Sequence, residues 1–143
     1  MIYIAGPWFN ERQNKILQDV KIYLRDLALE FYSPKDDNLF QTDLTSPTEI
    51  FDDNVKHMLT CDMMLVITDG KDVGTIFEAG FAYAQGKQIL YLWVDYKEGQ
   101  KFNIMLAESG DSCCLGFLDL QKALIQYKET GTLKKIEYTG ALE

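Results

Sequence analysis

The heptapeptide D-M-M-L-V-I-T, Asp62 to Thr68, is an almost unbroken apolar run. A half-exposed strand would alternate polar and apolar residues. A run without alternation suits a parallel strand covered on both faces. Asp69-Gly70-Lys71-Asp72 then reads as a turn, and Gly74 to Gly86 as a helix with Phe77, Phe81 and Ala84 on one side and Gly86 at its C-terminal end. Q-I-L-Y-L-W-V, Gln88 to Val94, is a second buried strand. The unit is therefore strand, helix, strand, the signature of a parallel sheet.

The same alternation extends outward. Upstream, Pro47 to about Thr60 reads as a helix, with Ser46 as N-cap and Pro47 in the first turn. Lys35 to Ser46 is polar and aperiodic, a long loop of the kind that often serves function. Glu30 to Ser33 is a short strand stopped by Pro34. Asn10 to Leu29 places Ile16, Leu17, Val20, Leu24 and Leu27 at helical spacing, and Met1 to Ala5 is a strand ending at Gly6-Pro7. Downstream come a polar loop over Asp95 to Gln100, short helices over Phe102 to Glu108 and Phe117 to Tyr127, and a mixed tail from Thr132 to Glu143. Right-handed crossovers turn this order into a doubly wound α/β sheet, with ligands expected in the crevice at the carboxyl ends of the strands. Gly6–Asn10, Asp69–Glu78 and Asp95–Asn103 all leave strand ends toward that crevice.

Bulk properties narrow the function. The 143 residues make one domain, 1–143, with a single real core and no internal repeat. A net charge of −8 repels polyanions, so DNA, RNA and anionic membranes are poor partners. The opening M-I-Y-I-A-G-P-W-F has neither a basic region nor a long apolar stretch, and no apolar run reaches about 18 residues, so neither a signal peptide nor a membrane span is expected. Cys61, Cys113 and Cys114 are odd in number and contain no C-x-x-C, which suits buried reduced thiols in a cytoplasmic protein. The lone histidine, His57, leaves no His/Cys cluster for zinc and reads as structural or exposed.

No glycine-rich phosphate cradle follows the first strand. Trp8 and Phe9 stand there instead, either as core packing or as a flat wall for a planar ring. Glu78 is an isolated carboxylate in T-I-F-E-A-G-F-A-Y-A. It is either a solvent-facing residue of an amphipathic helix or a carboxylate aimed into the crevice. Nearness to a helix N-terminus favours its ionised form by roughly 0.3–1 kcal/mol. With Asp72 in the preceding turn, it forms a carboxylate pair suited to glycosidic chemistry, one ionised group attacking and one exchanging a proton. Tyr3 is either a core tyrosine or a phenol that orients that carboxylate.

Y-I-A-G-P-W-F at Tyr3–Phe9, D-V-G-T-I-F-E-A-G-F-A-Y-A-Q-G-K at Asp72–Lys87, F-N-I-M at Phe102–Met105 and Y-T-G-A-L-E at Tyr138–Glu143 together resemble the nucleoside 2-deoxyribosyltransferase family. The resemblance implies a flavodoxin-like, five-stranded parallel sheet and an enzyme that moves 2-deoxyribose between nucleobases without metal or organic cofactor. It implies that Glu78 attacks C1′ to form a deoxyribosyl ester, that Tyr3 positions Glu78, and that Asp72 contacts the base and passes it a proton. Phe9, with Trp8 beside it, would line the base pocket. Asn103 and Met105 would be contributed by an adjacent subunit of a homo-oligomer (dimer, tetramer or hexamer), with Glu143 also reaching across. The family's second base-contacting aspartate falls on Asn54, an amide in place of a carboxylate, with Asp53 next to it. A hydrolase of deoxynucleosides or their 5′-monophosphates and a non-catalytic nucleoside-binding module are the competing readings.

Overall fold

A computed structural model describes residues 1–39 and 46–143. Its five strands are β1 (Ile2–Ala5), β2 (Phe31–Tyr32), β3 (Met63–Ile67), β4 (Gln88–Trp93) and β5 (Ser112–Leu115). All pair in parallel, in the order β2-β1-β3-β4-β5. This is the flavodoxin-like arrangement, and its strand order reverses between β1 and β3. The chain is thus the doubly wound α/β protein that the sequence predicts.

Strand alternation sorts the side chains into two cores. Ile2, Ile4, Met63, Leu65, Ile67, Leu90 and Leu92 face one way. There they meet Ile16, Leu17, Val20 and Leu24 of α1 (Glu11–Asp26) and Leu120, Ala123 and Leu124 of α6 (Gly116–Thr130). Tyr3, Ala5, Met64, Val66, Ile89 and Tyr91 face the other way. They pack on Met58 of α3 (Pro47–Thr60), Ala79 and Ala82 of α4 (Val73–Ala84) and Ala107 of α5 (Ile104–Ser109). Both faces of β1 and β3 are therefore dry, which is why their sequences show no alternation.

The start of α3 is where the sequence places it. Ser46 accepts from Glu49 N–H, Glu49 reaches back to the Ser46 N–H, and Pro47 occupies the first turn. Four features differ from expectation. Part of the Lys35 to Ser46 loop is a four-residue helix, α2 (Pro34–Asp37), tied to α1 by an ion pair from buried Lys21 to Asp36; residues 40–45 of that loop lie outside the described residues. β5 escapes a residue-by-residue reading of S-C-C-L. The tail is also not loose: Ile136 bridges to Ser112, and Phe102 N–H donates to Ala141 O at 2.9 Å. Finally, Phe77 lies outside the core, 56% exposed, because Thr75, Ala79 and Ala82 form the buried face of α4. The three cysteines are free and buried, and burial pushes the Cys114 thiol up to about 12.

Candidate active site

Tyr3 and Glu78 meet where β1 faces α4. Tyr3 points inward from the second position of a strand buried on both sides, and it is fully buried. Small residues at Ala79 and Ala82 let α4 lie close on the sheet. Glu78 precedes Ala79 and is three residues after buried Thr75, so it shares the sheet-facing side of the helix. That position sets Glu78 apart from a solvent-facing residue: its carboxylate is turned inward and half-buried. Glu78 Oε2 and the Tyr3 hydroxyl are both buried and lack a partner at hydrogen-bonding geometry. They are nonetheless near enough to influence each other's ionisation.

The electrostatics reverse one expectation. Glu78 is the sixth residue of α4, beyond the first turn where the helix dipole acts. Burial therefore dominates and pushes the Glu78 carboxyl up to about 7. The Tyr3 phenol opposes this shift, and the negative charge of Asp72 adds to it. Burial and the adjacent Glu78 charge together drive the Tyr3 phenol far above its ordinary value, so it remains a hydrogen-bond donor.

Asp72 is the N-cap of α4. Its Oδ2 accepts from Thr75 N–H and from the Thr75 hydroxyl, each at 2.9 Å. The aspartate thus has a structural use that sequence spacing did not disclose. Asp72→Ala is expected to cost about 1 kcal/mol of stability through the lost cap, whereas Asp72→Asn keeps an acceptor there and loses much less. Chemical denaturation of the two variants checks this. A proton-transfer role for Asp72 predicts that both variants lose turnover, although only Asp72→Ala loses the cap.

The remaining sequence-predicted residues form three groups. Trp8 packs against the core on the α1 side of the sheet, and Phe9 projects outward, 70% exposed, with its ring 5.4 Å from that of Trp8. Of the two aromatics, Phe9 is the more accessible for stacking. Asp53 and Asn54 on α3 hold Tyr32: the Tyr32 hydroxyl lies 3.0 Å from Asp53 Oδ2 and 3.1 Å from Asn54 Oδ1. Asn54 Oδ1 also accepts from Asn38 Nδ2 at 2.8 Å. His57 is structural, stacked on the Tyr32 ring with 3.7 Å between centroids and bonded through Nδ1 to the Asp53 carbonyl at 2.7 Å.

Asn103, Met105 and Glu143 form the third group. Asn103 caps α5, accepting from Met105 N–H at 2.9 Å, and Met105 is 74% exposed. Main-chain bonds hold Glu143 beside them: Glu143 N–H donates to Phe102 O, and Ile104 N–H donates to Glu143 O. All three residues line a pocket of about 810 Å³ that also includes Arg12, Lys71 and Asp95. Arg12 is already engaged there, its Nε donating to Asp95 at 2.8 Å. Tyr3, Asp72 and Glu78 do not line this pocket. Among the described residues, this pocket therefore brings together Asn103, Met105 and Glu143 but not Tyr3, Asp72 and Glu78. Phe51 of α3 also stands out on the surface beside α4. It is 53% exposed on α3, and its ring lies 6.4 Å from that of Phe77. Its interruption of the polar pattern in E-I-F-D-D was the available signal.

Among the described residues, no group of His, Cys, Asp or Glu is arranged to hold a metal ion, and no helix is long and apolar enough to cross a membrane.

Comparison with known proteins agrees with the architecture and the motifs. The family model for nucleoside 2-deoxyribosyltransferase matches residues 2–110. The nucleoside deoxyribosyltransferase of Lactobacillus leichmannii is 30% identical over 120 residues, covering 73% of this chain and 76% of that protein. The solved 2-deoxyribosyltransferase of the psychrotolerant bacterium Bacillus psychrosaccharolyticus superposes with a TM-score of 0.77 at 25% identity, over 96% of this chain and 98% of that one. The CMP N-glycosidase BcmB of Clostridium botulinum superposes with a TM-score of 0.63 at 17% identity, over 88% of this chain and 98% of that one, a likeness of fold alone. With a matching family model over most of its length and a relative at 30% identity, this chain is an enzyme of the nucleoside 2-deoxyribosyltransferase family.

Proposed function

We propose that this protein transfers 2-deoxyribose between nucleobases in two displacements at Glu78, with a 2′-deoxynucleoside and a free base as substrates. The supporting observation is the inward-facing Glu78 carboxylate, one oxygen of which is buried without a partner beside Tyr3. In the first displacement the bond from C1′ to the base nitrogen breaks, and its electron pair leaves with the base. A bond from Glu78 to C1′ replaces it, and Asp72 supplies the proton that the departing base takes up. In the second, a nitrogen of the incoming base attacks C1′, its N–H proton passes to the Asp72 carboxylate, and the Glu78 carboxylate leaves. The missing 2′-hydroxyl makes the oxocarbenium-like transition state more accessible. Tyr3 steers Glu78, Phe9 stacks on the base, and Asn54 and Asp53 border the base site.

Asn103, Met105 and Glu143 serve the sugar in a neighbouring copy's site. The pocket that they line does not include Glu78, which supports this, as does the exposed apolar surface of α4 and α5, where Val73 is 84%, Tyr83 63% and Ile104 48% exposed. The active species on this reading is a homo-oligomer (dimer, tetramer or hexamer) working in the cytoplasm without metal or cofactor.

The test is chromatographic. With 2′-deoxyinosine and adenine, the enzyme is expected to form 2′-deoxyadenosine. Release of hypoxanthine at the same rate with or without adenine makes it a hydrolase instead. A nucleoside-binding protein gives neither product. Attack requires the ionised form of Glu78, so kcat/KM should rise with pH through about 7. Rates about tenfold lower at pH 6 than at pH 8 are expected for one such group. A flat profile over that range removes Glu78 ionisation from the rate.

A further inference from the structure

Tyr3 lies near enough to Glu78 for each to influence the other's ionisation. Its hydroxyl has no partner at bonding geometry, so its own hydrogen bonds do not hold it. Core packing holds it instead, and one of the groups in that core is a ring stacked directly on it. Tyr32, at the end of β2, stacks on Tyr3 with 5.4 Å between centroids and 30° between planes. It is 3% exposed. Tyr32 is itself held on several sides. Its hydroxyl proton is shared by Asp53 Oδ2 and Asn54 Oδ1, and its ring is stacked on His57 with 12° between planes. Asp53, 7% exposed, also lies 3.5 Å from His57 Nδ1. A buried network with such partners is stiff.

We propose that Tyr32 is a positioning residue, whose ring, fixed through Asp53 and Asn54, sets the direction of the Tyr3 phenol and through it the Glu78 carboxylate. Asp53 and Asn54 then act on the reaction from behind the site, whatever contact they also make with a base. The proposal rests on the reading of Glu78 as nucleophile for its kinetic consequences but not for its geometry. The titratable groups around the array are Tyr3 and Asp72 near Glu78, Cys61 near Tyr3, and Asp53, Asp37 and His57 around Tyr32.

The experiment compares Tyr32→Phe, Tyr3→Phe and the double variant. Tyr32→Phe keeps the ring and removes only the anchor. It is expected to lower kcat/KM for base exchange at pH 7 by about fivefold, the ordinary worth of one hydrogen bond. Most of that loss should appear in kcat. A less well aimed phenol stabilises the Glu78 anion less, so the acid limb of the rate should move to higher pH. NMR titration of the Glu78 side-chain carboxyl should move the same way, and it requires no turnover. Adding Tyr32→Phe to Tyr3→Phe should change neither reading further, because the path through Tyr3 is already cut. Asn54→Ala should shift the Glu78 titration in the same direction but less, as Asp53 still holds the hydroxyl; this variant decides the matter if Tyr32→Phe unfolds. An unmoved Glu78 titration in Tyr32→Phe overturns the proposal. So does a full Tyr32 effect in the Tyr3→Phe background. If the wild type exchanges no bases, the reaction reading fails by itself, and the titration still decides the positioning role.

Discussion

Glu78→Gln should abolish base exchange, lowering kcat for formation of 2′-deoxyadenosine from 2′-deoxyinosine and adenine by ~10³-fold or more, the scale on which loss of a covalent nucleophile is felt. The amide has the size of the carboxylate and keeps a hydrogen-bond acceptor for Tyr3, but it cannot form the ester to C1′. KM should change little, because the groups proposed to hold the base lie on other elements: Phe9 after β1, and Asp53 and Asn54 on α3. Steady-state rates, with mass spectrometry of acid-quenched protein, check both parts. The wild type should gain the mass of one deoxyribosyl group when only the donor is present, and the variant should not. A Glu78→Gln enzyme within tenfold of wild type would sink the double displacement and leave a single displacement at C1′ by the incoming base.

The sheet was legible because burial on both faces leaves a plain mark: M-M-L-V-I and I-L-Y-L have no polar side to show. The start of α3 was legible for the opposite reason, since Ser46, Pro47 and Glu49 form a local signal that needs no tertiary context. β5 was not legible. Its four residues include a serine whose hydroxyl is satisfied by Lys134 O from the tail, and the Cys113 N–H donates to Ile136 O. A strand completed by partners more than twenty residues away carries no period of its own. α2 was lost among Asp and Lys residues for the same reason, because its anchor is the distant Lys21.

The candidate site was half legible. Motif order nominated Tyr3, Asp72 and Glu78 as candidates, but the face and the charge of Glu78 depend on packing. Phe77 and Phe81 suggested an apolar face, whereas Ala79 and Ala82 make it, because close approach to the sheet selects small residues over large ones. The helix dipole was a fair local argument for an ionised Glu78. It lost to burial, which no local pattern encodes.

The same burial predicts that Glu78→Gln stabilises the protein it inactivates, and only at high pH. The folded-state value of about 7 lies above the ordinary 4.5 that the unfolded chain will show. Between those values the folded protein holds a proton that the unfolded chain has lost, so stability falls as pH rises from about 4.5 to 7. Above pH 7 the loss is complete and amounts to roughly 2–3 kcal/mol, allowing for partial solvent access. Glutamine carries no charge and escapes it. Near pH 4, where Glu78 is protonated in both states, the two proteins should unfold at nearly the same temperature; at pH 8 the variant should unfold on the order of 5–10 °C higher. Thermal unfolding across that range checks the prediction. A constant difference between the proteins would assign the effect to packing and leave Glu78 with an ordinary pKa. A gap that opens with pH and closes on binding a base or deoxynucleoside would place the strain of the buried carboxylate in the binding site itself, where enzymes commonly give up stability for reactivity.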